Sequence, residues 1–398
     1  MRFPEFHGEW EKCKLGDIAT LTKGSGISKD QRSATGTPCI LYGELYTTYK
    51  SEVINYVVSK TDISDKNLVR SCANDIIIPS SGETAIDIST ARCVLSPDVL
   101  LGGDLNIIRL KDGDGRFFSY QLNGVRKYDI AKIAQGVSVV HLYGESIKGL
   151  TVSFPSNKEQ QKISTLLSLI DERIATQSKL IEKLESLIKG MEDNLLDNPL
   201  WEKTYLRSFM QFFPTNSLSW EQLSYKEGAI RNLHYGLIHG LQTRGINSAS
   251  LPMIKNEAIP KQYTLCQVGD VAFADASEDT GEIAKSVEFV DTIEGDTICG
   301  LHTIHGRDIK NRTVVGFKGF AFKSCYFHNQ IKRLAQGTKV FSITANNLSS
   351  CYVYLPDLET QKAIVNLLKT YEAKLLVNKR LLEHYEKQKQ YLLRQMFI

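Results

Sequence analysis

The amino-acid sequence predicts an α+β protein in which two globular domains are joined by two long antiparallel coiled-coil helices, with an internal pseudo-two-fold repeat. Three observations predict this architecture. The two halves match each other in order, each half ends in a long heptad pattern of apolar residues, and short alternating apolar runs precede each pattern. The chain has 398 residues, 42% of them hydrophobic and 23% charged, which is typical of globular proteins and sufficient for more than one core.

The internal repeat is visible as a series of ordered matches between the two halves. The matches include Trp10 with Trp201, Tyr42 with Tyr235, Asp75 with Asp270, Arg109 with Arg307, and Gln135 with Gln336. Their separation grows from 191 to 201 residues along the chain and never shrinks. Chance matches would not be ordered in this way, whereas loop insertions in the second half would produce such a steady increase.

The segments 1–154 and 198–355 are predicted to be the two globular domains. Both contain short apolar runs separated by Gly, Ser, Asn and Asp, a composition typical of strands joined by loops. Strands are expected at 69–78 and 99–110 in the first domain and at 268–273 and 287–292 in the second. A helical stretch is expected at 118–132.

The segments 155–197 and 356–398 are predicted to be the two long helices. The separation between the halves stays at 201 residues here, as a helix requires, because one inserted residue would rotate everything after it by about 100°. Apolar residues follow a heptad pattern from Ile163 and from Ile364 onward. Ser156 and Asp357 are suited to cap the helix starts, and Glu159 would complete a capping box with Ser156.

Gln177 and Asn378 occupy equivalent polar positions within the two heptad patterns, and Lys389 is a further polar exception. A single buried amide can fix the register of paired helices. We therefore expect Gln177 and Asn378 to face each other across an antiparallel helix pair. The alternative is that each helix packs on its own domain.

Composition and motifs exclude several classes of protein. The first ten residues lack the apolar run of a signal peptide, no 18-residue apolar stretch follows, and the eight cysteines are scattered singly, so we expect a cytoplasmic protein without a disulfide framework or a membrane span. None of the ten prolines is adjacent to another, which excludes the Pro-Pro turn of amino-methyltransferases, and no phosphate-binding loop occurs. We predict no catalytic residues.

A metal site is not expected either, although one spacing deserves comparison with zinc motifs. Cys299, His302 and His305 are spaced as C-x-x-H-x-x-H. Residues three apart on a strand point to opposite faces, so this stretch would not converge on a metal if it is extended. The alternative interpretation is a pair of solvated or DNA-facing histidines.

Positive charge is concentrated near the end of the second domain. Residues 307–339 contain eight Lys or Arg and one acidic residue, whereas the whole chain has a net charge of +3. Such clusters are typical of phosphate binding, and polar loop side chains can read bases. In the first half the candidate DNA contacts are Lys23, Lys29, Arg32, Ser80, Ser81, Thr84, Arg116, Arg126, Lys127, Ser138 and His141. In the second half they are Arg244, Ser277, Thr280, Lys310, Arg312, Lys332, Arg333, Thr338 and Lys339.

Taken together, these motifs resemble the specificity subunit of type I restriction-modification systems over the whole chain. The resemblance rests on the opening segment 2–6 with Trp10, on Leu15-Gly16-Asp17-Ile18, on the two Ala-Gln-Gly segments, and on the P-x4-Q starts of both long helices. It implies two target-recognition domains that each read one block of a bipartite DNA sequence, held apart by the paired helices. The second half lacks the Gly-Asp-Ile after Leu206, and its domain differs widely, so the two half-sites should differ.

The resemblance also implies the partners of the chain. It implies a non-catalytic subunit without a cofactor of its own that places two modification subunits, which bind S-adenosylmethionine and methylate adenine, and that serves restriction subunits, which use ATP and Mg. The remaining alternative is a coiled-coil adaptor with two partner-binding domains and no direct DNA readout.

Overall fold

The computed structural model describes residues 2–64, 67–240, 245–293 and 295–397. The chain divides into two compact units. Unit 1 comprises Met1–Leu180 and Asn378–Ile398, and unit 2 comprises Ile181–Val377. The two long helices therefore contribute residues to both units. None of the described helices has an 18-residue window apolar enough to cross a membrane.

Unit 1 is built on one mixed sheet and several smaller ones. Its strands are β1 (Glu11–Lys14), β2 (Ala19–Lys23), β3 (Thr37–Ile40), β4 (Val53–Ile54), β5 (Ser59–Thr61), β6 (Asp75–Pro79), β7 (Ser81–Gly82), β8 (Arg92–Val94), β9 (Leu100–Leu101), β10 (Leu105–Leu110), β11 (Val140–His141) and β12 (Thr151–Phe154). The largest sheet has the order β2-β10-β6-β8-β4, and β5-β3-β9 form a second one. In the largest sheet the central strand β6 is antiparallel to β10, with Ile77 opposite Ile107.

The helices of unit 1 cover this sheet. They are α1 (Leu15–Ile18), α2 (Glu44–Thr47), α3 (Ala85–Ile88), α4 (Gly115–Asn123), α5 (Lys127–Ile133), α6 (Gly144–Lys148) and the long α7 (Asn157–Leu196), which continues into unit 2. Phe117 and Phe118 of α4 are fully buried in the main core of the unit. The helical stretch expected at 118–132 is thus two helices, because α4 ends at Asn123, with Gly124 as its C-cap, and α5 begins at Lys127.

Unit 2 has the same kind of construction. Its strands are β13 (Glu202–Tyr205), β14 (Met210–Phe213), β15 (Leu223–Ser224), β16 (Arg231–Leu233), β17 (Met253–Ile254), β18 (Val271–Ala274), β19 (Ala276–Ser277), β20 (Ser286–Glu288), β21 (Thr297–Cys299), β22 (Thr303–Asp308), β23 (Phe341–Ser342) and β24 (Tyr352–Leu355). Its helices are α8 (Tyr235–Gly240), α9 (Phe317–Ala321), α10 (Cys325–Leu334), α11 (Ala345–Ser350) and the long α12 (Leu358–Gln395). The two main sheets have the orders β14-β22-β18-β20 and β15-β17-β16-β21.

The predicted strands are present but shorter than expected. Within 69–78 only β6 forms, and it starts at Asp75 after Asn74, whose φ is +78°. Within 99–110 a turn at Asp104, with φ of +58°, separates β9 from β10. Within 287–292 the strand β20 ends at Glu288. Left-handed turns at the non-glycine residues Asn74 and Asp104 interrupt the first two of these apolar runs, and the apolar pattern does not reveal them.

A glutamine fixes the start of each long helix. Gln160 accepts a hydrogen bond from the backbone N–H of Asp114 at 3.0 Å and donates to the carbonyl of Pro155 at 2.8 Å. Gln361 accepts from Val314 at 3.0 Å and donates to Pro356 at 3.0 Å. Both glutamines are buried, so these bonds satisfy their amides and join each helix to its unit.

The two predicted helix caps differ in outcome. Asp357 accepts from the backbone N–H of Thr360 at 2.9 Å, which confirms its predicted N-cap role. Hydrogen bonds from Thr360 lower the pKa of the Asp357 carboxyl. For the first helix we predicted that Glu159 forms a capping box with Ser156. The Glu159 carboxylate instead accepts hydrogen bonds from the Arg2 guanidinium at 2.8 and 2.7 Å.

Segments of α7 and α12 run antiparallel inside unit 1. Gln177 donates from Nε2 to the Asn378 side-chain oxygen at 2.7 Å. Farther from this pair, Lys389 Nζ lies 2.6 Å from Asp171 Oδ1, so the residue numbers rise along one helix as they fall along the other. Beyond α12, Met396 and Phe397 are buried in the main core of unit 1. In unit 2 the core instead includes Leu196 of α7 and a group on α12, namely Ile364, Val365 and Leu368.

Candidate nucleic-acid interface

Each Ala-Gln-Gly segment starts a tight hairpin that its glycine makes possible. Gln135 and His141 exchange backbone hydrogen bonds of 2.9 and 2.7 Å, and Gln336 and Ser342 exchange bonds of 3.0 and 2.8 Å. Gly136 has φ of +123° and Gly337 has φ of +128°. The space around both glycines excludes a side chain, since an added Cβ would lie 2.1 or 2.0 Å from a backbone carbonyl oxygen. The backbone conformation of each hairpin therefore requires the glycine of the repeated motif.

The tips of these hairpins are exposed. In unit 1 the tip carries Ser138 between two exposed valines, and Val137 is 97% exposed. In unit 2 the tip carries Thr338 and Lys339, both exposed, followed by Val340. Because these side chains are exposed, both tips are accessible to another molecule.

The hairpin of unit 1 lies against the segment that follows β6. Strand β11 pairs with β7, which places His141 opposite Ser81. The backbone N–H of Leu142 donates to the carbonyl of Ser80 at 2.9 Å. Thr84, three residues beyond Ser81, is exposed and caps α3 by accepting from the Asp87 N–H at 3.1 Å. Predicted contacts from two distant parts of the sequence are thus brought together.

Unit 2 repeats this arrangement with different side chains. Strand β23 pairs with β19, which places Ser277 opposite Phe341. The backbone N–H of Ile343 donates to the carbonyl of Asp275 at 2.9 Å. Thr280 is exposed three residues beyond Ser277. The predicted residues Ser277, Thr338 and Lys339 therefore belong to one hairpin-centred surface, whereas Arg244 lies outside the described residues.

A cleft of about 980 Å³ lies beside the candidate surface of unit 1. Its lining includes the predicted residues Lys29 and Arg32, together with Tyr42 and Asp104. Asp104 also accepts at its carbonyl from the backbone N–H of Ser80, at 2.7 Å, so the cleft adjoins the hairpin surface. Lys23, the last residue of the outer strand β2, is exposed as well.

The residues equivalent to Tyr42 and Asp104 in unit 2 are Tyr235 and His302. The Tyr235 ring lies 5.2 Å from the His302 ring in an edge-on arrangement. Nδ1 of His302 lies 3.0 Å from the Asp275 carboxylate. Sequence reasoning did not select either tyrosine as a contact. The signal that could have found them is the repeated Tyr-Gly dipeptide, which was used to define the repeat.

Several predicted basic residues of unit 1 are engaged within the unit. Arg116 binds Asp114 through two nitrogens, at 3.1 and 2.7 Å, and Arg126 lies 3.2 Å from Asp129. Lys127 is partly buried, and this burial, together with the charge of Arg92, lowers its pKa. These three side chains are therefore less available to bind phosphates than the number of basic residues in the sequence implies. Arg116 and Arg126 each have a carboxylate partner within the unit, and Lys127 is partly buried.

The basic segment of unit 2 divides into paired and exposed residues. Arg307 binds Asp270 through two nitrogens at 2.8 and 2.7 Å, Arg312 lies 2.6 Å from Glu202, and Lys318, only 2% exposed, lies 3.2 Å from Glu288. The exposed cations are Lys310, Lys332, Arg333 and Lys339. Lys332 and Arg333 lie in the last turn of α10. These four are the cations best placed to bind phosphates.

The spacing of Cys299, His302 and His305 does not create a three-residue site. His302 turns toward Asp275 with a φ of +54°, whereas His305 is buried and binds Asp270 at 2.7 Å. The interpretation of two solvated or DNA-facing histidines is therefore wrong for His305, whose position in the central strand β22 buries its ring.

Comparison with known proteins gives consistent results. The family model described as type I restriction modification DNA specificity domain matches residues 7–186 and 296–386. Two curated relatives come from Methanocaldococcus jannaschii. The type I restriction enzyme MjaVIII specificity subunit is 24% identical over 97% of this chain and 93% of its own length. The putative type I restriction enzyme MjaX specificity subunit is 25% identical over 97% of this chain and 92% of its own length.

Solved structures share the fold. The S subunit of a type I restriction-modification system from M. genitalium has a TM-score of 0.60 and 17% identity, covering 100% of this chain and 99% of its own. A chain from a structural study of complex assembly and conformational transition in the type I R-M system has a TM-score of 0.56 and 13% identity, covering 98% of this chain and 97% of its own.

Proposed function

Because the chain belongs to the family of type I restriction-modification specificity subunits, we propose that it reads a bipartite sequence in double-stranded DNA, with one recognition domain for each half-site. Specificity subunits are the non-catalytic components of these systems. The proposed recognition domains are residues 1–154 and 198–355. The proposed spacer is the antiparallel pairing of the helices in 155–197 and 356–398.

The observation that carries this proposal is the paired construction of the two hairpin surfaces. In each unit, one tight hairpin and the segment beside it present hydroxyl, imidazole or ammonium groups that are exposed or half-buried. Ser81, Ser138 and His141 provide them in unit 1, and Ser277, Thr338 and Lys339 in unit 2. Such groups read base edges when they enter a groove. Because the side chains differ between the units, we propose that the half-sites differ.

Phosphate contacts are assigned to the exposed cations rather than to all basic residues. In unit 2 these are Lys310, Lys332, Arg333 and Lys339, and in unit 1 they are Lys23 and Lys29, whereas Arg32 lies 3.7 Å from the Glu44 carboxylate. Arg116, Arg126 and Arg312 share their charge with an internal carboxylate, so their contribution to phosphate binding is smaller.

Membership of the family supports a proposal for the remaining partners. We propose that the chain positions two modification subunits, which supply S-adenosylmethionine, and restriction subunits, which supply ATP and Mg. The Gln177–Asn378 pair is proposed to hold the register of the helices on which this positioning depends.

Salt dependence of DNA affinity tests the proposal. The assay uses the purified chain with its modification subunits and DNA that contains the methylated target mapped in the host genome. The double variant K332A/R333A should bind more weakly and should reduce the slope of log affinity against log salt by about 2, since each lost phosphate contact removes about 0.9.

Arg312→Ala is the matched control from the same basic segment. Because Glu202 already balances the Arg312 charge, this variant should change the slope by much less. An unchanged slope in K332A/R333A would contradict the proposed phosphate contacts. Absence of sequence-specific binding by the complex would favour a coiled-coil adaptor without DNA readout.

A further inference from the structure

Three buried side chains of unit 2 bring metal-ligating atoms together. The Sγ atoms of Cys266 and Cys299 are 3.6 Å apart, and these atoms and a ring nitrogen of His305 all lie within 4.8 Å of one another. Cys266, Cys299 and His305 are 7%, 3% and 1% exposed. They belong to three different segments, namely the loop before β18, the end of β21 and the middle of β22.

The fold does not require thiols or imidazole at these positions. Unit 1 forms the same local structure without them. In unit 1 the backbone N–H of Ser71 donates to the carbonyl of Val99 at 2.8 Å, and in unit 2 the backbone N–H of Cys266 donates to the carbonyl of Thr297 at the same distance. The equivalent ion pairs Arg109–Asp75 and Arg307–Asp270 also match. In unit 1 the three positions are occupied by Ser71, Leu101 and Ile107. The two thiols and the imidazole are therefore additions that only unit 2 carries at this place.

A carboxylate holds the His305 ring in a fixed orientation. Nε2 of His305 lies 2.7 Å from Asp270 Oδ2, and Arg307 fixes the same carboxylate through two nitrogens. This bond leaves Nδ1 as the ring nitrogen that can accept a metal. Histidines that bind metals usually donate their other N–H to a carboxylate or a carbonyl, which sets the tautomer and the ring orientation.

We propose that Cys266, Cys299 and His305 bind one Zn²⁺ ion, with a water molecule as the fourth ligand. Tetrahedral zinc with bonds of about 2.3 Å to sulfur places two thiolates roughly 3.8 Å apart, close to the observed separation. Thiolate and imidazole together favour zinc over Mg²⁺ or Ca²⁺, which prefer oxygen. The ion displaces the two thiol protons and ties the loop before β18 to β21 and β22.

The proposed site differs from the C-x-x-H-x-x-H spacing in one ligand. His302 is directed to Asp275, and Cys266, which is 33 residues before Cys299 in the chain, supplies the third ligand. Because three protein ligands leave one position to water, the ion should exchange with chelators more readily than in a closed four-ligand site.

Cobalt and zinc titrations of the full-length chain test the site. The protein is purified with a reductant, stripped with a chelator and titrated with Co²⁺. One equivalent per chain should produce a near-ultraviolet thiolate-to-cobalt absorption band with visible bands of tetrahedral cobalt, and Zn²⁺ should abolish them. Zinc should also raise the melting temperature of the stripped protein, because the metal binds the folded state.

Variants separate this site from accidental binding. C266S introduces the residue found at the equivalent position in unit 1, and the double variant C266S/C299A removes both thiols. Zinc affinity should fall at least about tenfold in the first and the cobalt band should vanish in the second. Cys351→Ala is the control, because Cys351 is a buried cysteine of unit 2 outside the cluster. Its titration should match the wild type.

Three outcomes would overturn the proposal. The first is the absence of a thiolate-to-cobalt band when the wild-type protein is titrated. This test does not depend on whether any variant folds. The second is a band that persists in C266S/C299A. The third is a Cys266–Cys299 disulfide in protein purified without reductant, combined with failure to bind zinc after reduction. None of these results bears on DNA binding, so this test is independent of the proposed function.

Discussion

Backbone geometry explains why glycine is present at the third position of both Ala-Gln-Gly segments. Gly136 and Gly337 have φ of +123° and +128°, and each faces a carbonyl oxygen across the hairpin. Only glycine adopts this conformation without strain while leaving room for the opposite strand. The shape of each hairpin tip, and so the position of the side chains proposed to read DNA, therefore depends on the absence of a Cβ atom at this glycine.

Gly136→Ala should destabilise unit 1 and weaken DNA binding. The added Cβ would lie 2.1 Å from the Val139 carbonyl oxygen, so the hairpin must open or deform, at a cost of about 1–3 kcal/mol. Urea unfolding measures the loss. Gly190→Ala is the control, because Gly190 lies in α7 with no atom within 4 Å of the added Cβ, and it should stabilise the helix by up to about 1 kcal/mol. Equal stability of the two variants would contradict the strain.

His328 should make unit 2 sensitive to mild acid. Burial, and then the charge of Lys332, lowers the pKa of His328, and its Nε2 is a buried atom without a hydrogen-bond partner in the described part of the chain. The folded state therefore holds the neutral ring, while the unfolded chain takes up a proton below about pH 6.5. Stability from this residue is complete above that value and declines as the pH falls below it.

His328→Gln tests this pH dependence. Between about pH 7.5 and about pH 5.5, the free energy of unfolding should fall more in the wild type than in the variant, because only the wild type has this buried imidazole. Urea unfolding at both pH values measures the difference. Parallel pH profiles of the two proteins would show that His328 is not responsible.

At the level of elements, sequence reasoning predicts the helices better than the strands. A helix of some 40 residues repeats its apolar pattern many times, so its bounds are well defined, and α7 covers Asn157–Leu196 within the predicted 155–197. The described strands have two to six residues, and strands such as β6 and β10 begin directly after Asn74 and Asp104, which have left-handed backbones without being glycine. Apolar periodicity over so few residues cannot locate such ends.

Lys389 shows how a heptad exception can be an anchor. It is buried in unit 1, where its Nζ lies 2.6 Å from Asp171 Oδ1 and also contacts the Glu52 carboxylate. Tyr120 donates to the same Asp171 at 2.8 Å. The polar position therefore belongs to a buried ion cluster that specifies how the end of α12 is seated in its unit.

Lys389→Met should be strongly destabilising. Removing the ammonium leaves two buried carboxylates without their cation, which typically costs about 3–5 kcal/mol, far more than an aliphatic side chain of similar length would recover. Lys387→Met, two residues earlier on an exposed position of the same helix, is the control and should change stability by less than about 0.5 kcal/mol. Urea unfolding compares them, and similar losses in both would refute the anchoring role.

For the molecule as a whole, ordered residue matches predict an internal repeat, whereas the sequence does not indicate which cations are accessible to a binding partner. Lys318 counts as a cation in the sequence, yet its partner Glu288 lies in another part of the chain and both are buried. The candidate surface could not be predicted for the same reason, since Ser81 and His141 come together only through the pairing of β7 with β11. Distant pairings of this kind require the folded chain.

The paired helices are proposed to set the distance between the two half-sites. Adding four residues to each helix, after Leu180 in α7 and after Val377 in α12, would lengthen the spacer by about 6 Å while keeping the apolar stripes of both helices nearly in phase. Base pairs are about 3.4 Å apart along DNA, so the spacing should increase by roughly two base pairs.

Methylation mapping of complexes that contain the lengthened chain measures both properties at once. Each half-site should be unchanged and only the spacing between them should grow, because the hairpin surfaces are untouched by the insertion. As a control, exchanging residues 1–154 for the corresponding domain of another specificity subunit should replace one half-site and leave the spacing as it is. An insertion that alters either half-site, or that leaves the spacing constant, would mean that the helices do not measure the distance and that the recognition domains are positioned by their partner subunits.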